Sequence, residues 1–415
     1  MAQSATEKVL LFAEARRIVE EQARFLLPHE PAVEAVALSR ARGRVLAESI
    51  CADRDLPPFS RAARDGFAVI ATDVTEASES SPIELKVVGE IAAGAAELPA
   101  VHSGEAAAIM TGAAAPVSAD AIVMVEYTRP SGKKRVQILR PVRGGENIVP
   151  QGAEARAGDV LLAKRQRMGS AAIAVAASVG KSELRVYRQP RVAILATGDE
   201  LVAVDRKPGP HQIRNSNSWS LASQVEAAGG EPAVLPAAPD EADRLAELIG
   251  EGLKSDLLLL AGGVSMGSYD LVKPALGKFD AEFFFTGALI QPGRPIVFGR
   301  AAGKYFFGLP GNPVSTLVTF ELFVRPLLEA LGGAEPQPLH YLRATLKSDI
   351  TTKTGLARFL PARLSGELEN TEVELVRWQG SGDVVATAAA NCYIVIPPDR
   401  DHIARGELVS VLPAR

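Results

Sequence analysis

From Gln189 onward, apolar runs of about one strand's length end in loops rich in glycine, proline or acid, and each loop opens into a segment with helical spacing. Val192 to Ala196 runs into Thr197-Gly198-Asp199-Glu200, Ala233 to Leu235 into Pro239-Asp240-Glu241, and Asp256 to Leu260 into Gly262-Gly263-Val264-Ser265-Met266-Gly267. Tyr305 to Phe307 leads to Leu309-Pro310-Gly311-Asn312-Pro313 and a helix from about Val314 to Leu331. Strands without polar alternation need cover on both faces, so the pattern predicts a parallel sheet between helices. In such sheets ligands bind beyond the carboxyl ends of the strands, where these loops converge.

At 415 residues the chain exceeds a single ordinary core and should form two to four domains. An amphipathic helix is expected from Thr6 to Phe25, and a second from Met168 to Gly180, where glycine is a natural stop. Between about Pro57 and Arg143, the short apolar stretches Ile83 to Val88, Ala106 to Met110, Ala121 to Val125 and Val136 to Leu139 alternate with turn-forming clusters, which predicts an all-β insertion. After Pro336, Tyr341 to Leu346, Cys392 to Ile396 and Glu407 to Leu412 again read as strands. The expected architecture is multidomain α/β plus β. A discontinuous helical domain takes 1–56 and 144–188, an inserted β domain 57–143, the parallel-sheet α/β domain 189–335, and a small C-terminal β domain 336–415.

A formal net charge of -4 and a pI near 5.9 provide no basic field for a phosphate backbone, so nucleic acid is not an expected partner. The cysteines Cys51 and Cys392 lack metal or redox spacing, as suits a reducing compartment. The first residues lack the apolar core of an export signal, and the apolar runs are too short to span a bilayer. A soluble cytoplasmic protein without membrane association is expected.

Glu200, Asp240 and Asp270 fall in or near the loops at the strand ends, among glycines that permit close backbone approach to an anion. Acids beside an anion cradle repel a phosphate unless a cation intervenes, and Mg²⁺ held by one or two carboxylates and substrate oxygens is a common solution. Each residue also has a plainer reading. Asp240 could cap a helix starting at Glu241, Asp199 could be solvent-exposed, and Gly262-Gly263 could be only a tight turn. The Pro310-Gly311-Asn312-Pro313 loop, with Ser315 just beyond, could offer Asn312 and helical N–H groups to an anion or simply end a strand. The five histidines are scattered and none joins a local triad-like motif.

The segments "RVAILATGDEL", "QIRNSNSWSL", "LLLLAGGVSMGSYDLVKPAL", "QPGRPIVFG" and "FFGLPGNPVSTLVTFELFVRP" resemble, in order and spacing, the molybdopterin-binding domain of the MoeA and gephyrin E-domain family. "PPFSRAARDGFAV" and "IMTGAAAP" resemble its β domain, and "WQGSGDVVATAAANCYIVIP" its C-terminal domain, so the resemblance covers essentially the whole chain. It implies an elongated four-domain subunit and a homodimer, with each cleft formed between the molybdopterin-binding domain of one subunit and the β domain of the other. It also implies a Mg²⁺-dependent molybdenumtransferase reaction, in which adenylylated molybdopterin is hydrolysed, AMP leaves and molybdate is inserted. A molybdopterin adenylyltransferase is then a candidate partner. The resemblance assigns catalysis to Asp65, Glu200, Asp240 and Asp270. Asp240 and Asp270 would be metal ligands, and Glu200 would orient a ligand or water. Thr111 matches a functional threonine of the β domain. Ser265, Pro310, Pro313 and Ser381 line the implied pocket, with Gly198, Asp199, Gly262, Gly263, Arg294, Gly311 and Asn312 as the remaining substrate contacts.

The chain departs from the family at several of these places. Ser60-Arg61-Ala62-Ala63-Arg64-Asp65-Gly66-Phe67 stands where Asp-x-Ser-Ala-Met-Asp-Gly-Tyr is usual, so only the second acid remains. Gln291 replaces a usual lysine and Pro361 a usual arginine, whereas Arg294 is kept; Val149, Pro150 and Ala153 replace residues that are commonly charged. Losing two charge-assisted contacts predicts weak capture of molybdate. A non-catalytic pterin- or nucleotide-binding relative, or a dimeric scaffold, is the alternative that these departures favour. An adenylyltransferase of the related fold accounts for the sheet but leaves the flanking β domains unused.

Overall fold

The structure, a computed structural model, describes residues 8–27, 29–263 and 271–414; Ser265 and Asp270 lie outside the described residues. The chain forms two compact units. The larger comprises the described parts of Met1–Ala47, Arg165–Met168 and Leu184–Arg415, and the smaller Glu48–Lys164 and Gly169–Glu183.

The centre of the larger unit is a six-stranded sheet in the order Glu231–Val234, Arg191–Ala196, Leu257–Ala261, Lys304–Leu309, Val297–Ala301, Glu282–Phe285. The first four strands are parallel. The last two pairings are antiparallel and extend the parallel strands that the sequence predicts. The cause is a two-residue hairpin turn at Ala302 and Gly303, both with positive φ, too short to allow a parallel crossover. Both faces of the sheet are covered, as the unalternating strands require. Val192, Ile194, Leu257 and Leu259 pack with Leu221 and Val225 of the helix Asn217–Ala227. The intervening residues Ala193, Leu195, Leu258 and Leu260 pack with Leu245, Leu248 and Ile249 of the helix Ala242–Gly252.

The N-terminal helix spans Phe12–Leu26 and so begins later than its periodicity suggests. Val9–Leu10 is instead a strand paired in parallel with Gly287–Ala288, and Glu14 closes the helix start by accepting from the Leu11 N–H at 3.0 Å. The helix expected from Val314 to Leu331 is interrupted by a π turn at Phe320–Val324 between Pro313–Thr319 and Arg325–Leu331. Pro326 has no N–H for the Leu322 carbonyl four residues earlier, and Arg16 Nη1 donates to that carbonyl instead.

Beyond Pro336 the strands Leu342–Leu346, Ala357–Ser365, Glu372–Leu375, Cys392–Ile396 and Leu408–Pro413 form a sheet, and pairing of Ala357–Ser365 with Cys392–Ile396 closes it into a barrel. Ile290–Gln291 leaves the α/β layer to pair in parallel with the start of Ala357–Ser365.

The smaller unit is built on a second six-stranded sheet, ordered Ala121–Met124, Gly66–Val69, Glu105–Ile109, Ile83–Ile91, Arg135–Ile138, Thr128–Pro130. The helix Ser170–Ser178 belongs to this unit and stops before Gly180, which takes φ +76°. Among the described residues, no helix is long and apolar enough to cross a membrane.

One buried polar group holds the helix Arg325–Leu331 to the sheet's cover. Arg325 donates from Nε and Nη2 to Glu321 at 2.6 and 2.8 Å, and Gln224 Nε2 donates to the same carboxylate at 2.9 Å. Replacing Glu321 by leucine leaves the buried guanidinium with Glu329, 3.9 Å away, as its one remaining acid among the described residues. The Glu321→Leu protein is expected to lose about 3 to 5 kcal/mol of stability in urea unfolding, and Glu321→Leu with Arg325→Leu to regain most of it. An unchanged unfolding midpoint in the single variant would refute this role.

Candidate active site

Parallel pairing aligns Ala196 with Ala261 and Ala261 with Leu309, so three strands end on one row. The row continues one residue further, because Thr197 N–H donates to Ala261 O at 3.0 Å and Gly262 N–H to Leu309 O at 3.1 Å. The fourth loop is drawn to the first by Gly198 N–H donating to Ala238 O at 3.1 Å and by Asp240 N–H donating to Asp199 Oδ1 at 2.9 Å. A cleft of about 600 Å³ opens at this edge. Of the residues expected from sequence, Gly198, Glu200, Asp240, Gly262, Gly263 and the whole Pro310–Pro313 loop line it. Gly262 adopts φ +99°, and a Cβ there would lie 2.8 Å from Thr197 O, so only glycine lets the two loops meet.

Glu200 and Asp240 therefore share one cleft. Asp240 titrates above the usual aspartate range, chiefly because it loses water, and further because Asp199 and Glu200 repel its negative form. The capping alternative for Asp240 does not hold: the helix starts at Ala242, its cap position is Glu241, and neither carboxylate caps it through a side-chain bond. Asp199 is exposed, as the plainer reading expects, yet its side chain also fixes the Asp240 backbone.

Among the described residues, no three His, Cys, Asp or Glu side chains converge as a ready-made metal site. Mg²⁺ does not need one, since it keeps several waters and takes one or two carboxylates. A carboxylate destabilised by neighbouring acids is the electrostatic setting such a cation relieves, so Asp240 and Glu200 fit the ion.

The Pro310–Pro313 loop uses its polar groups internally. Asn312 Nδ2 donates to Ser381 Oγ at 2.9 Å, and Val314 N–H donates to Ser381 O at 3.0 Å. Ser381 thus braces the loop, while its neighbour Gly382 lines the cleft. Arg294 is exposed and outside the lining, which its neighbour Pro295 joins. Gln291 Oε1 accepts from Arg358 Nε at 2.9 Å, and Pro361 sits in the barrel wall opposite Tyr393.

Several lining residues have no role assigned by sequence reasoning, among them Thr197, Arg214, Asn215 and Asn217. Asn217 Nδ2 donates to Gly311 O at 2.7 Å and ties two cleft loops together. Thr197 Oγ1 and Asn217 Oδ1 are buried without a hydrogen-bond partner among the described residues, which marks where a ligand group can compensate. The Asn-Ser-Asn-Ser run at 215–218, across the start of the helix Asn217–Ala227, was the available signal, because clustered short polar side chains at a helix start indicate either caps or ligand contacts.

In the smaller unit, Asp65 Oδ1 accepts from Thr111 N at 2.6 Å and from Thr111 Oγ1 at 2.9 Å. These two bonds, the backbone one first, hold the Asp65 carboxyl below the usual aspartate range. Ser60, at the position of the lost first acid, accepts from Gln151 N at 3.2 Å, and Arg61 pairs with Glu154 at 2.9 Å.

Comparison with known proteins bears on the whole of this arrangement. Residues 10–180 match the family model for the MoeA N-terminal region (domain I and II), residues 193–330 that for a probable molybdopterin binding domain, and residues 343–414 that for the MoeA C-terminal region (domain IV). The chain is 35% identical over 398 residues to a molybdopterin molybdenumtransferase of Staphylococcus aureus (strain Mu50), covering 96% of this chain and 93% of that one. It is 34% identical over 378 residues to the protein of the same name from Staphylococcus epidermidis (strain ATCC 12228), covering 91% and 90%. The solved molybdopterin biosynthesis MoeA protein of Pyrococcus horikoshii OT3 is similar with a TM-score of 0.78 and 32% identity, over 98% of this chain and 100% of that one. Identity at this level over nearly the full length, with three family segments in the same order, means that the chain belongs to the MoeA family.

Proposed function

We propose that this chain is a molybdopterin molybdenumtransferase, acting in molybdenum cofactor biosynthesis on adenylylated molybdopterin and molybdate and releasing AMP. The observation that carries the reading is the cleft in which two acids, Glu200 and the destabilised Asp240, stand beside glycine loops and two buried oxygens with no partner among the described residues. Bound Mg²⁺ would supply charge neutralisation at the pyrophosphate of the substrate. The chain's own residues do the rest. Asp240 and Glu200, together with Asp270 from outside the described residues, would hold the ion. The glycines at 262 and 263 admit the substrate phosphates close to backbone, and Asn217 orients the Gly311 loop against the bound molecule.

In this reading the protein is a cytoplasmic homodimer of four-domain subunits, supplied by a molybdopterin adenylyltransferase. Asp65 and Thr111 of one subunit complete the cleft of the other.

Asp240→Asn and Asp270→Asn are each expected to slow Mg²⁺-dependent AMP release by about 100-fold or more with little change in thermal stability, as loss of a charge-stabilising group does. A folded variant with unaltered AMP release refutes the role of that acid. Only the ionised carboxylate binds Mg²⁺, and Asp240 ionises at a pH above that of an ordinary aspartate. Mg²⁺ affinity, measured by calorimetry, should therefore fall as pH drops through that raised midpoint, and should do so less steeply in Asp240→Asn.

The shared cleft has its own test. Mixing inactive Asp65→Ala and inactive Asp240→Ala subunits should restore part of the activity, because some mixed dimers carry one intact cleft. Demonstrated subunit exchange without recovery excludes the shared arrangement.

A further inference from the structure

The helix Asn217–Ala227 and the interrupted helix that starts at Pro313 both begin at the cleft, where Asn217 and the Pro310–Pro313 loop line it. They are tied there by Asn217 Nδ2 donating to Gly311 O at 2.7 Å. Two turns further along the same face of the first helix, about 10 Å from Asn217, stands Gln224. Its Nε2 donates to Leu317 O at 3.1 Å and to Glu321 Oε1 at 2.9 Å. Leu317 lies in the last turn before the π turn at Phe320–Val324, and Glu321 lies within it. Arg16 answers Leu322 O in the same π turn, so side chains from two directions hold this irregular stretch in place.

Gln224 is 9% exposed, and its Oε1 is buried with no partner among the described residues. Neither of its acceptors depends on it. Glu321 keeps two bonds from Arg325, and Leu317 O also accepts from the Phe320 N–H. An apolar side chain of the same length would therefore leave no orphan behind, and would remove an oxygen that is destabilising when buried unpaired. What an apolar side chain lacks is direction. Apolar contact is non-directional, whereas a donor shared between two fixed oxygens is satisfied at one axial setting of the helices, as a buried asparagine fixes register in paired helices. Residues 217 and 224 lie on one stripe, so the setting that satisfies Gln224 also brings Asn217 to Gly311.

We propose that Gln224 is a positioning residue for the cleft: it fixes the axial register of the two helices, and thereby the placement of Asn217 against the Pro310–Pro313 loop. Gln224 is not part of the cleft lining and acts through the bond from Asn217 to Gly311. The role rests on the molybdenumtransferase reading for the reaction it serves, and on the helix geometry alone for the placement of the loops.

The test uses the full-length protein with Gln224→Met, which keeps length and volume and removes both bonds. The urea midpoint of the variant should match that of the unmodified protein. Hydrogen exchange should be severalfold faster in peptides covering 213–219 and 309–316, and unchanged at Cys392–Ile396 in the barrel. In Mg²⁺-dependent AMP release from adenylylated molybdopterin, KM should rise about threefold or more while kcat stays within about twofold, the pattern of lost binding rather than lost chemistry. In an Asn217→Ala background, Gln224→Met should raise KM no further, because the bond through which Gln224 acts is already gone; unlinked residues at this separation give additive effects. Unchanged exchange in both segments or an unchanged KM overturns the proposal, as does an equal KM rise in the two backgrounds. A lowered midpoint with faster exchange throughout the larger unit, or a failure to fold, overturns it as well, since either shows Gln224 to be general structural support. Absence of AMP release by the unmodified protein overturns the molybdenumtransferase reading instead, and the exchange measurement then decides the role of Gln224.

Discussion

The parallel pairing of Arg191–Ala196, Leu257–Ala261 and Lys304–Leu309 is the constraint on which the rest of the larger unit depends. A shift of one residue between any two of these strands would turn every side chain to the other face, exchanging the set that packs on Asn217–Ala227 with the set that packs on Ala242–Gly252. It would also dissolve the row formed by Ala196, Ala261 and Leu309, from which three loops start side by side. The apolar core therefore fixes the register and the register positions the cleft. No loop has to find its place by its own weak interactions.

Once the strand ends are fixed, close approach of the loops requires small residues and internal hydrogen bonds. Gly262 is hemmed in by Thr197 O, while Asn312 and Val314 are held by Ser381. The polar groups most visible in sequence, such as the Asn312 amide, are spent on building the loops. Those left over are the oxygens of Thr197 and Asn217 and the carboxylates of Glu200 and Asp240. Under the proposed function, substrate recognition draws on this remainder.

This division explains what could be read from the sequence. Long apolar runs between glycine loops identify the parallel strands because burial on both faces leaves no room for polar alternation, and the loops at their ends follow from that topology. The hairpin at Ala302-Gly303 is not legible because Ala-Gly is not one of the pairs that mark two-residue hairpin turns, and Val9–Leu10 is not because its partner, Gly287–Ala288, is distant in sequence. The π turn depends on Arg16 answering the carbonyl freed by Pro326, a contact between residues 306 positions apart from Arg16 to Leu322. The burial of Arg358 was invisible for a related reason. An isolated arginine in a strand reads as a surface residue until the fold shows that it is buried.

The two acids that can be compared directly, Asp65 and Asp240, are shifted in opposite directions, and the causes separate their roles. Asp65 is exposed and receives two donors from Thr111, so its environment already favours the negative form and asks for no cation. Asp240 loses water and faces the fields of Asp199 and Glu200, so its environment disfavours the negative form until positive charge arrives. A metal ion gains most where the carboxylates are least content, which argues for the Glu200 and Asp240 cleft over the Asp65 loop. Asp65, pre-organised and ionised, is better suited to accept a hydrogen bond from a bound group than to hold a metal.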